Sequence, residues 1–261
     1  MNELHLFAGG GGGILGGMLC GHTCVCAVEI EPYCREILLQ RQRDGILPKF
    51  PIWDDVRTFD GRPWRGKIDV VCGGFPCQDI SSANRKAVGI CGERSGLWRE
   101  MARIVGEVGP EYVFAENSPM LESRGIERVL EELNALGYDT RRVKLGAENL
   151  GKTVRQRLWI LGRRAGEPDN PRNVGCRDSE YEVRSDCFLR TSAFSGILRA
   201  SPPAGVCGMG DGVPHRLDRL ATVGNAQIPV VAALAFTVLK GSFDNPEIEK
   251  IDFAEAFREA A

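Results

Sequence analysis

The sequence lacks several features that would direct a protein to a membrane or to secretion. No hydrophobic run reaches the roughly 20 residues that a membrane-spanning helix needs. The N-terminus passes straight into a strand-like segment, without the charged region and cleavage site of a secretory signal. We therefore expect no membrane association and a cytoplasmic location.

Metal and disulfide signatures are also missing. The chain has ten cysteines but only three histidines, and it contains no pair of Cys-x-x-Cys motifs. Paired motifs of that kind mark zinc sites, and regularly spaced cysteines in a small secreted chain mark disulfide frameworks. We therefore predict free thiols in a reducing compartment, with no metal site.

Charge is nearly balanced, since the formal net charge is −2 over 261 residues. Its distribution is uneven, because the 24 residues 141–164 hold eight basic residues and a single acid. This basic stripe is typical of phosphate binding, although a solvated face would have the same composition. Its basic residues are Arg141, Arg142, Lys144, Lys152, Arg155, Arg157, Arg163 and Arg164.

Alternating hydrophobic patterns predict the fold. Strand-like runs occur at residues 4–7, 23–28, 68–72, 112–115 and 158–161, and helical patterns at 14–19, 32–44, 97–108, 126–136 and 228–239. Such alternation favours an α/β fold with a doubly wound, mostly parallel, Rossmann-like sheet. Residues 164–212 have little periodicity and read as an irregular insertion, and the last twenty residues read as a polar tail.

A glycine-rich turn follows the first strand and leads into the first helix. Strand, glycine loop and helix together present backbone N–H groups to a ligand. The second strand ends at Glu29, where an acid can accept hydrogen bonds from ribose hydroxyls. The combination predicts a nucleoside-bearing cofactor, and a tight strand–helix connection is the alternative.

Cys77 stands just beyond a predicted buried strand, in Gly-Gly-Phe-Pro-Cys-Gln. Taken alone, it could be one more small buried hydrophobic residue. However, Glu29, Cys77 and Glu116 each follow a predicted strand, and the carboxyl ends of such strands share one crevice. A thiolate beside a carboxyl group and a cofactor is a catalytic arrangement.

These motifs, in this order, resemble those of the DNA cytosine-5 methyltransferases, and most closely the short bacteriophage-type members. The resemblance covers most of the chain. Its matching segments are Phe7–Gly12, Glu29, Asp55-Val56, Gly74–Gln78, Arg94–Leu97, Glu116-Asn117, Arg155–Arg157 and Gly224–Pro229.

The resemblance implies roles for individual residues. S-adenosylmethionine, which becomes S-adenosylhomocysteine, would be held by Phe7, Ala8, Gly9, Gly10, Gly11, Gly12, Glu29, Ile30, Asp55, Val56, Pro76, Leu97, Asn225 and Gln227. The catalytic residues would be Cys77, Glu116, Asn117, Arg155 and Arg157. DNA would be contacted by Gln78, Ser81, Ser82, Arg85 and Lys86.

The implied reaction joins these residues into one mechanism. The Cys77 thiolate would attack carbon 6 of a cytosine that has been flipped out of the duplex. Glu116, acting as a protonated acid, would stabilise the ring at nitrogen 3 while carbon 5 takes the methyl group. Arg157 would contact the cytosine oxygen or a flanking phosphate, and Asn117 would brace the turn before Cys77.

The sequence departs from the family pattern at several positions. His5 stands where aspartate is frequent, and Ser118 replaces a frequent valine. Residues 151–154 lack the usual proline and glutamine, so no glutamine role is carried over. Of the motif before the last one, only Arg216 to Arg219 is left.

The same resemblance suggests an organisation and partners. We expect a catalytic domain at 1–163, a small target-recognition region at 164–215, a return segment at 216–241 and a tail at 242–261. The expected partner is double-stranded DNA, and we expect a monomer that is encoded by a phage or prophage and accompanied by a cognate restriction enzyme. The protein would act in the bacterial cytosol, in association with the nucleoid. An RNA cytosine methyltransferase acting on transfer RNA, a non-catalytic nucleic-acid-binding protein and a small-molecule methyltransferase remain alternatives.

Overall fold

The computed structural model describes residues 1–76, 96–146, 156–166 and 226–244, together with the backbone of 179–181. One eight-stranded sheet forms the centre, with the strand order β3-β2-β1-β4-β5-β7-β6-β8. The strands are β1 (Asn2–Leu6), β2 (Thr23–Val28), β3 (Ile52–Trp53), β4 (Val70–Gly74), β5 (Tyr112–Asn117), β6 (Tyr138–Gly146), β7 (Gln156–Arg164) and β8 (Ser179–Tyr181).

Helices cover both faces of this sheet. They are α1 (Gly12–Leu19), α2 (Pro32–Arg43), α3 (Leu97–Val108), α4 (Leu121–Arg124), α5 (Ile126–Ala135) and α6 (Pro229–Asp244), with a short 3₁₀ turn at Arg62–Trp64. The apolar sides of α3 and α5 pack on one face, with Met101, Ile104 and Leu133 fully buried. The other face is covered by α1, α2 and α6. The predicted doubly wound α/β fold is confirmed.

Five strands form a parallel half-sheet. β1 pairs with β2 and β4, β2 pairs with β3, and β4 pairs with β5, all in parallel. Because parallel strands end on the same edge, the chain after β1, β2, β4 and β5 converges on one crevice.

The remaining strands break the predicted alternation of strands and helices. β6 and β7 form an antiparallel pair, and β7 also runs antiparallel to β5. The sequence did not predict β6, because Asp139, Arg141, Arg142 and Lys144 interrupt its apolar residues. In the structure, buried and half-buried residues alternate along much of β6, and this alternation accounts for its mixture of apolar and charged residues.

Two boundaries also differ from the prediction. Helix α6 continues to Asp244, five residues past the expected end at Leu239, into the segment predicted as tail. Phe243 is buried there, with the guanidinium carbons of Arg141 and Arg163 at 4.7 and 4.5 Å from its ring centroid. A three-residue strand, β8, lies within the predicted irregular region and pairs with β6.

Within the residues that the structure describes, no helix combines the length and apolar character needed to cross a bilayer.

Candidate active site

The loop after β1 has an unusual backbone. Phe7 has φ 54°, which makes it the only non-glycine residue with positive φ among the described residues. Gly9 and Gly11 follow with φ 53° and 88°. Positive φ is costly for residues with a Cβ atom and is concentrated at functional sites. A Cβ atom at Gly9 would have no neighbour within 4 Å, so the loop borders open space there.

Glu29 connects the ends of β1 and β2. Its Oε2 accepts a hydrogen bond from Gly9 N at 2.6 Å, and its Oε1 accepts one from Glu31 N at 2.8 Å. Burial raises the pKa of Glu29, and the N–H groups of Glu31 and Gly9 oppose that rise. Each carboxylate oxygen has a second lone pair, so Glu29 can also accept hydrogen bonds from a ligand hydroxyl.

Exposed apolar side chains border the same crevice. Ile30, two residues after β2, is 52% exposed, and Trp53, the last residue of β3, is 47% exposed. Val56 is buried, and its carbonyl accepts a hydrogen bond from Arg103 at 2.9 Å. A buried carboxylate beside two exposed apolar faces fits a nucleoside, which has both hydroxyls and a flat ring.

Asp55 lies on the neighbouring loop and is tied to Arg57. The Arg57 side chain donates from Nε and Nη2 to the two carboxylate oxygens, at 2.9 and 2.8 Å. These hydrogen bonds and the Arg57 charge lower the pKa of Asp55, while its slight burial acts in the opposite direction. Asp55 therefore stays ionised at neutral pH.

Glu116 forms the centre of the other half of the crevice. Only 8% of the residue is exposed, and Arg157 Nε lies 2.7 Å from its Oε1. Gln227 Nε2 lies 3.5 Å from its Oε2. Residues from β5, β7 and the segment before α6 therefore meet at one carboxyl group.

Asn117 holds the chain that leads toward Cys77. Its Nδ2 donates to the Phe75 carbonyl at 3.1 Å, and its Oδ1 accepts from Ser118 N at 2.7 Å. Asn117 is 2% exposed, so both bonds are shielded from water. The Asn117 side chain therefore bonds to two backbone groups, the Phe75 carbonyl and the Ser118 N–H.

Several predicted site residues lie outside the described residues. They are Cys77, Gln78, Ser81, Ser82, Arg85, Lys86, Arg155 and Asn225. Pro76 is the last residue described before Cys77, and Leu97 begins α3 and packs against the core from a half-buried position.

The glycines of α1 have a packing role that the sequence did not reveal. A Cβ atom at Gly12 would lie 2.1 Å from the Gln227 carbonyl oxygen, and one at Gly16 would lie 2.8 Å from Ala232 Cβ. Glycine is needed there because the segment before α6 and α6 itself approach α1 closely. Part of the glycine-rich run therefore serves the contact with the chain's return segment.

The described cations of the basic stripe are dispersed. Arg157 pairs with Glu116, and Lys144 lies 3.2 Å from Glu122. Arg163 pairs with Asp244 at 3.1 Å, and the Arg164 guanidinium lies over the Tyr138 ring. Much of the positive charge therefore serves intramolecular contacts.

Three arginines support the site without having been predicted. Arg35 donates to the carbonyls of Glu29 and Ile30, and Arg41 donates to the carbonyl of Gly10. Arg103 holds the loop of Val56 and Phe59 by their carbonyls. Arg35 lies in the first turn of α2, Arg41 in its last turn and Arg103 in the middle of α3, positions that gave only a weak signal because helix surfaces are commonly rich in arginine.

Comparison with known proteins places this geometry in a family. Residues 1–196 match the family model described as C-5 cytosine-specific DNA methylase. The type II methyltransferase M.Eco47II of Escherichia coli is 35% identical over 137 residues, which are 52% of this chain and 31% of that protein. The chain spans less than half the length of the curated relatives it matches.

Solved structures give the same fold. The Dnmt2 methyltransferase of S. pombe aligns with a TM-score of 0.53 at 21% identity, over 74% of this chain and 56% of that one. A proposed DNA modification methyltransferase encoded within an E. coli prophage aligns with a TM-score of 0.50 at 25% identity, over 63% of this chain and 47% of that one. With the family match over most of its length, the chain belongs to the C-5 cytosine-specific DNA methylase family.

Proposed function

We propose that this protein transfers a methyl group from S-adenosylmethionine to carbon 5 of cytosine in double-stranded DNA. The observation that carries the proposal is the position of Glu116. It is buried at the end of β5, bound to Arg157, and paired in the sheet with Gly74, three residues before Cys77. The Cys77 thiol would share with this carboxyl group the crevice that Glu29 enters from β2.

The residues present fit S-adenosylmethionine, whose sulfonium centre supplies an electrophilic methyl group. Glu29 would bind the ribose hydroxyls, and Ile30 and Trp53 would cover the adenine. Asp55 and Val56 would lie at the adenine edge. The open, positive-φ loop from Phe7 to Gly12, together with Pro76, Leu97, Asn225 and Gln227, would enclose the remainder of the molecule.

The protein's own groups would do the rest of the chemistry. Attack by the Cys77 thiolate forms a carbon–sulfur bond at carbon 6 and makes carbon 5 electron-rich. Glu116 donates a proton or hydrogen bond to ring nitrogen 3 during that attack. After carbon 5 is methylated, a water or hydroxide removes its proton, and the returning electron pair expels the thiolate.

Arg157 and Asn117 would act by positioning. Arg157 holds one oxygen of Glu116, and its guanidinium would also contact the cytosine oxygen or a flanking phosphate. The other Glu116 oxygen, which lies 3.5 Å from Gln227 Nε2, would face the base. Asn117 fixes the Phe75 carbonyl and thereby the approach of the chain to Cys77. Arg155, with Gln78, Ser81, Ser82, Arg85 and Lys86, would contact the target strand.

The setting of this activity is part of the same proposal. The protein would act as a monomer on chromosomal or phage DNA in the bacterial cytosol, with residues 164–215 recognising the target sequence. A cognate restriction enzyme would cut the unmethylated form of that sequence.

Radiolabelled methyl transfer tests the proposal. Purified protein, tritium-labelled S-adenosylmethionine and either plasmid DNA or bulk transfer RNA are incubated, and the label in each nucleic acid is counted. We expect label in DNA as 5-methylcytosine, and none with Cys77→Ser. Cys26→Ser, which changes a buried thiol on another strand, is the matched control and should remain active.

A covalent trap tests the thiol directly. DNA with 5-fluorocytosine at the target cannot lose its carbon 5 substituent as a proton, so a stable protein–DNA adduct should form with wild type and be missing with Cys77→Ser. Methylation of DNA without such an adduct would refute the covalent route. Label appearing only in transfer RNA would replace DNA by RNA as the substrate.

A further inference from the structure

A second cluster of reactive side chains lies away from the crevice, on the sheet face beneath α1 and α6. It consists of Glu3 and His5 on β1, Cys72 on β4, and His22 just before β2. Glu3, His5 and Cys72 are 2%, 5% and 4% exposed. The proposed methyl-transfer chemistry uses none of them.

The sheet brings three ligand types together. Glu3 and His5 are two residues apart on β1, so their side chains leave the same face. His5 and Cys72 are direct partners across the parallel β1–β4 pair. One carboxylate oxygen, one imidazole nitrogen and one thiol sulfur therefore lie within 4.8 Å of one another.

We propose that Glu3, His5 and Cys72 bind a single zinc ion in the core of the sheet. Imidazole, carboxylate and thiolate are the three protein ligands that zinc accepts. Bonds of about 2.0–2.3 Å in a tetrahedral site place ligand atoms roughly 3.3–3.8 Å apart. The cluster needs side-chain shifts of about 1 Å to reach that geometry, since His5 Nε2 and Glu3 Oε2 start 2.7 Å apart.

Charge balance favours the ion. When zinc binds, bonds to oxygen, nitrogen and sulfur form, the Cys72 S–H bond breaks, and its proton leaves to solvent. The 2.7 Å contact between His5 Nε2 and the Glu3 carboxylate requires a proton on Nε2, which zinc replaces and which moves to Nδ1 or to solvent, so that the ligated ring is neutral with its N–H on Nδ1. One divalent cation, one carboxylate and one thiolate then sum to zero, which is the least costly charge state for a site shielded from water.

The surroundings provide space and support. A cavity of about 10 Å³ borders all three side chains, which is roughly the room that one water needs as a fourth ligand. His22 Nδ1 lies 2.8 Å from Glu3 Oε1 and orients the carboxylate, as outer partners of metal ligands do. The lack of a side chain at Gly17 leaves room for the Glu3 carboxylate, because a Cβ atom there would lie 2.0 Å from Glu3 Oε2.

Metal analysis of the full chain, purified without a histidine tag and passed over a chelating resin, tests the site. We expect about one equivalent of zinc per chain, and a cobalt-substituted protein with a thiolate-to-cobalt absorption band. Cys72→Ser should remove the band and weaken zinc binding at least ~10-fold. Cys26→Ser, another buried strand thiol, should leave both unchanged.

Two further measurements keep the test decisive. If Cys72→Ser does not fold, as judged by circular dichroism, His5→Gln is examined for the same loss. X-ray absorption at the zinc edge of the wild-type protein reads the ligands without any variant, and one sulfur with nitrogen and oxygen neighbours is expected. Wild-type protein that retains no metal, or a zinc shell with two or more sulfurs, would overturn the proposal.

Discussion

Two buried glutamates of the same half-sheet, Glu29 and Glu3, are held in opposite ways. Glu29, at the crevice, is bound by neutral backbone N–H groups, and burial raises its pKa. For Glu3, on the sheet face, burial also acts to raise the pKa, but the charges and hydrogen bonds of His5 and His22 outweigh it and lower the pKa to about 2.

This difference indicates that Glu29 can bind a ligand, whereas Glu3 is bound by neighbouring side chains of the protein itself. Glu29 is bonded to Gly9, beside which there is open space, and it keeps lone pairs for hydroxyl groups, so its ionisation weighs against folding until a ligand binds. Glu3 is enclosed by its own partners, so its ionisation supports folding. Substitutions should accordingly impair function at the crevice and stability at the cluster.

Glu116→Gln gives the largest expected effect and tests whether Glu116 belongs with the crevice. The amide keeps the shape but cannot donate a carboxylic proton, so the methylation rate should fall at least ~100-fold. The unfolding midpoint should change little, because the partly exposed Arg157 can turn to water. Single-turnover methyl transfer measures the rate, and Glu122→Gln, at the pair with Lys144, is the control. Full activity of the variant would remove Glu116 from catalysis.

Glu3→Gln tests the closed cluster. A folded-state pKa near 2, against an ordinary value of 4.5, means that the unfolded chain binds the proton more tightly. This stabilisation is therefore complete above about pH 5 and is lost as the pH falls toward 2, with a span of about 3 kcal/mol. Urea unfolding of wild type and variant, with a chelator present, should give curves that differ most at pH 7. A difference that does not depend on pH would contradict the assignment.

Glu29→Gln should show the opposite pH dependence. Because the pKa of Glu29 is raised in the folded state, its stabilising contribution is complete below the ordinary value and is lost as the pH rises through the folded value. Wild-type stability relative to the variant should thus decrease with rising pH. Calorimetric binding of S-adenosylmethionine should weaken by ~10-fold or more, whereas Glu31→Gln, which keeps the backbone N–H, should bind normally.

Arg57→Ala is expected to have the smallest effect and to extend the comparison to a surface carboxylate. The pKa of Asp55 should rise toward its ordinary value when its partner is removed, which NMR titration can follow. The unfolding midpoint should not change measurably, because a pair this exposed is screened by water. A clear loss of stability would show that burial alone does not explain why Glu3 and Asp55 differ in their contribution to stability.

Sequence patterns predicted much of the parallel half-sheet. The bounds of β2 and α3 were predicted residue for residue. β2 is a continuous apolar run followed by an acid, and α3 is an amphipathic stretch followed by a glycine. β6 was missed, since its charged residues hide the alternation. α6 was predicted too short, since the contacts of Phe243 with Arg141 and Arg163 come from distant strands.

The candidate site divides in the same way. Glu29, Glu116 and Asn117 follow apolar strands, so their shared edge could be predicted from the chain alone. The pairing of Arg157 with Glu116 depends on how an antiparallel strand returns beside β5, and no local pattern encodes that register.

The sequence by itself determined the family motifs, their order and most of the parallel sheet, because these depend on short-range periodicity and on residue type. Only the tertiary structure decided that glycines of α1 make room for α6 and for Glu3, and that Glu3, His5 and Cys72 meet across two strands. Those contacts join residues far apart in the chain, 216 positions from Gly16 to Ala232 and 69 positions from Glu3 to Cys72. Ligand-spacing rules read only neighbouring residues, so a site assembled by strand pairing is invisible to them.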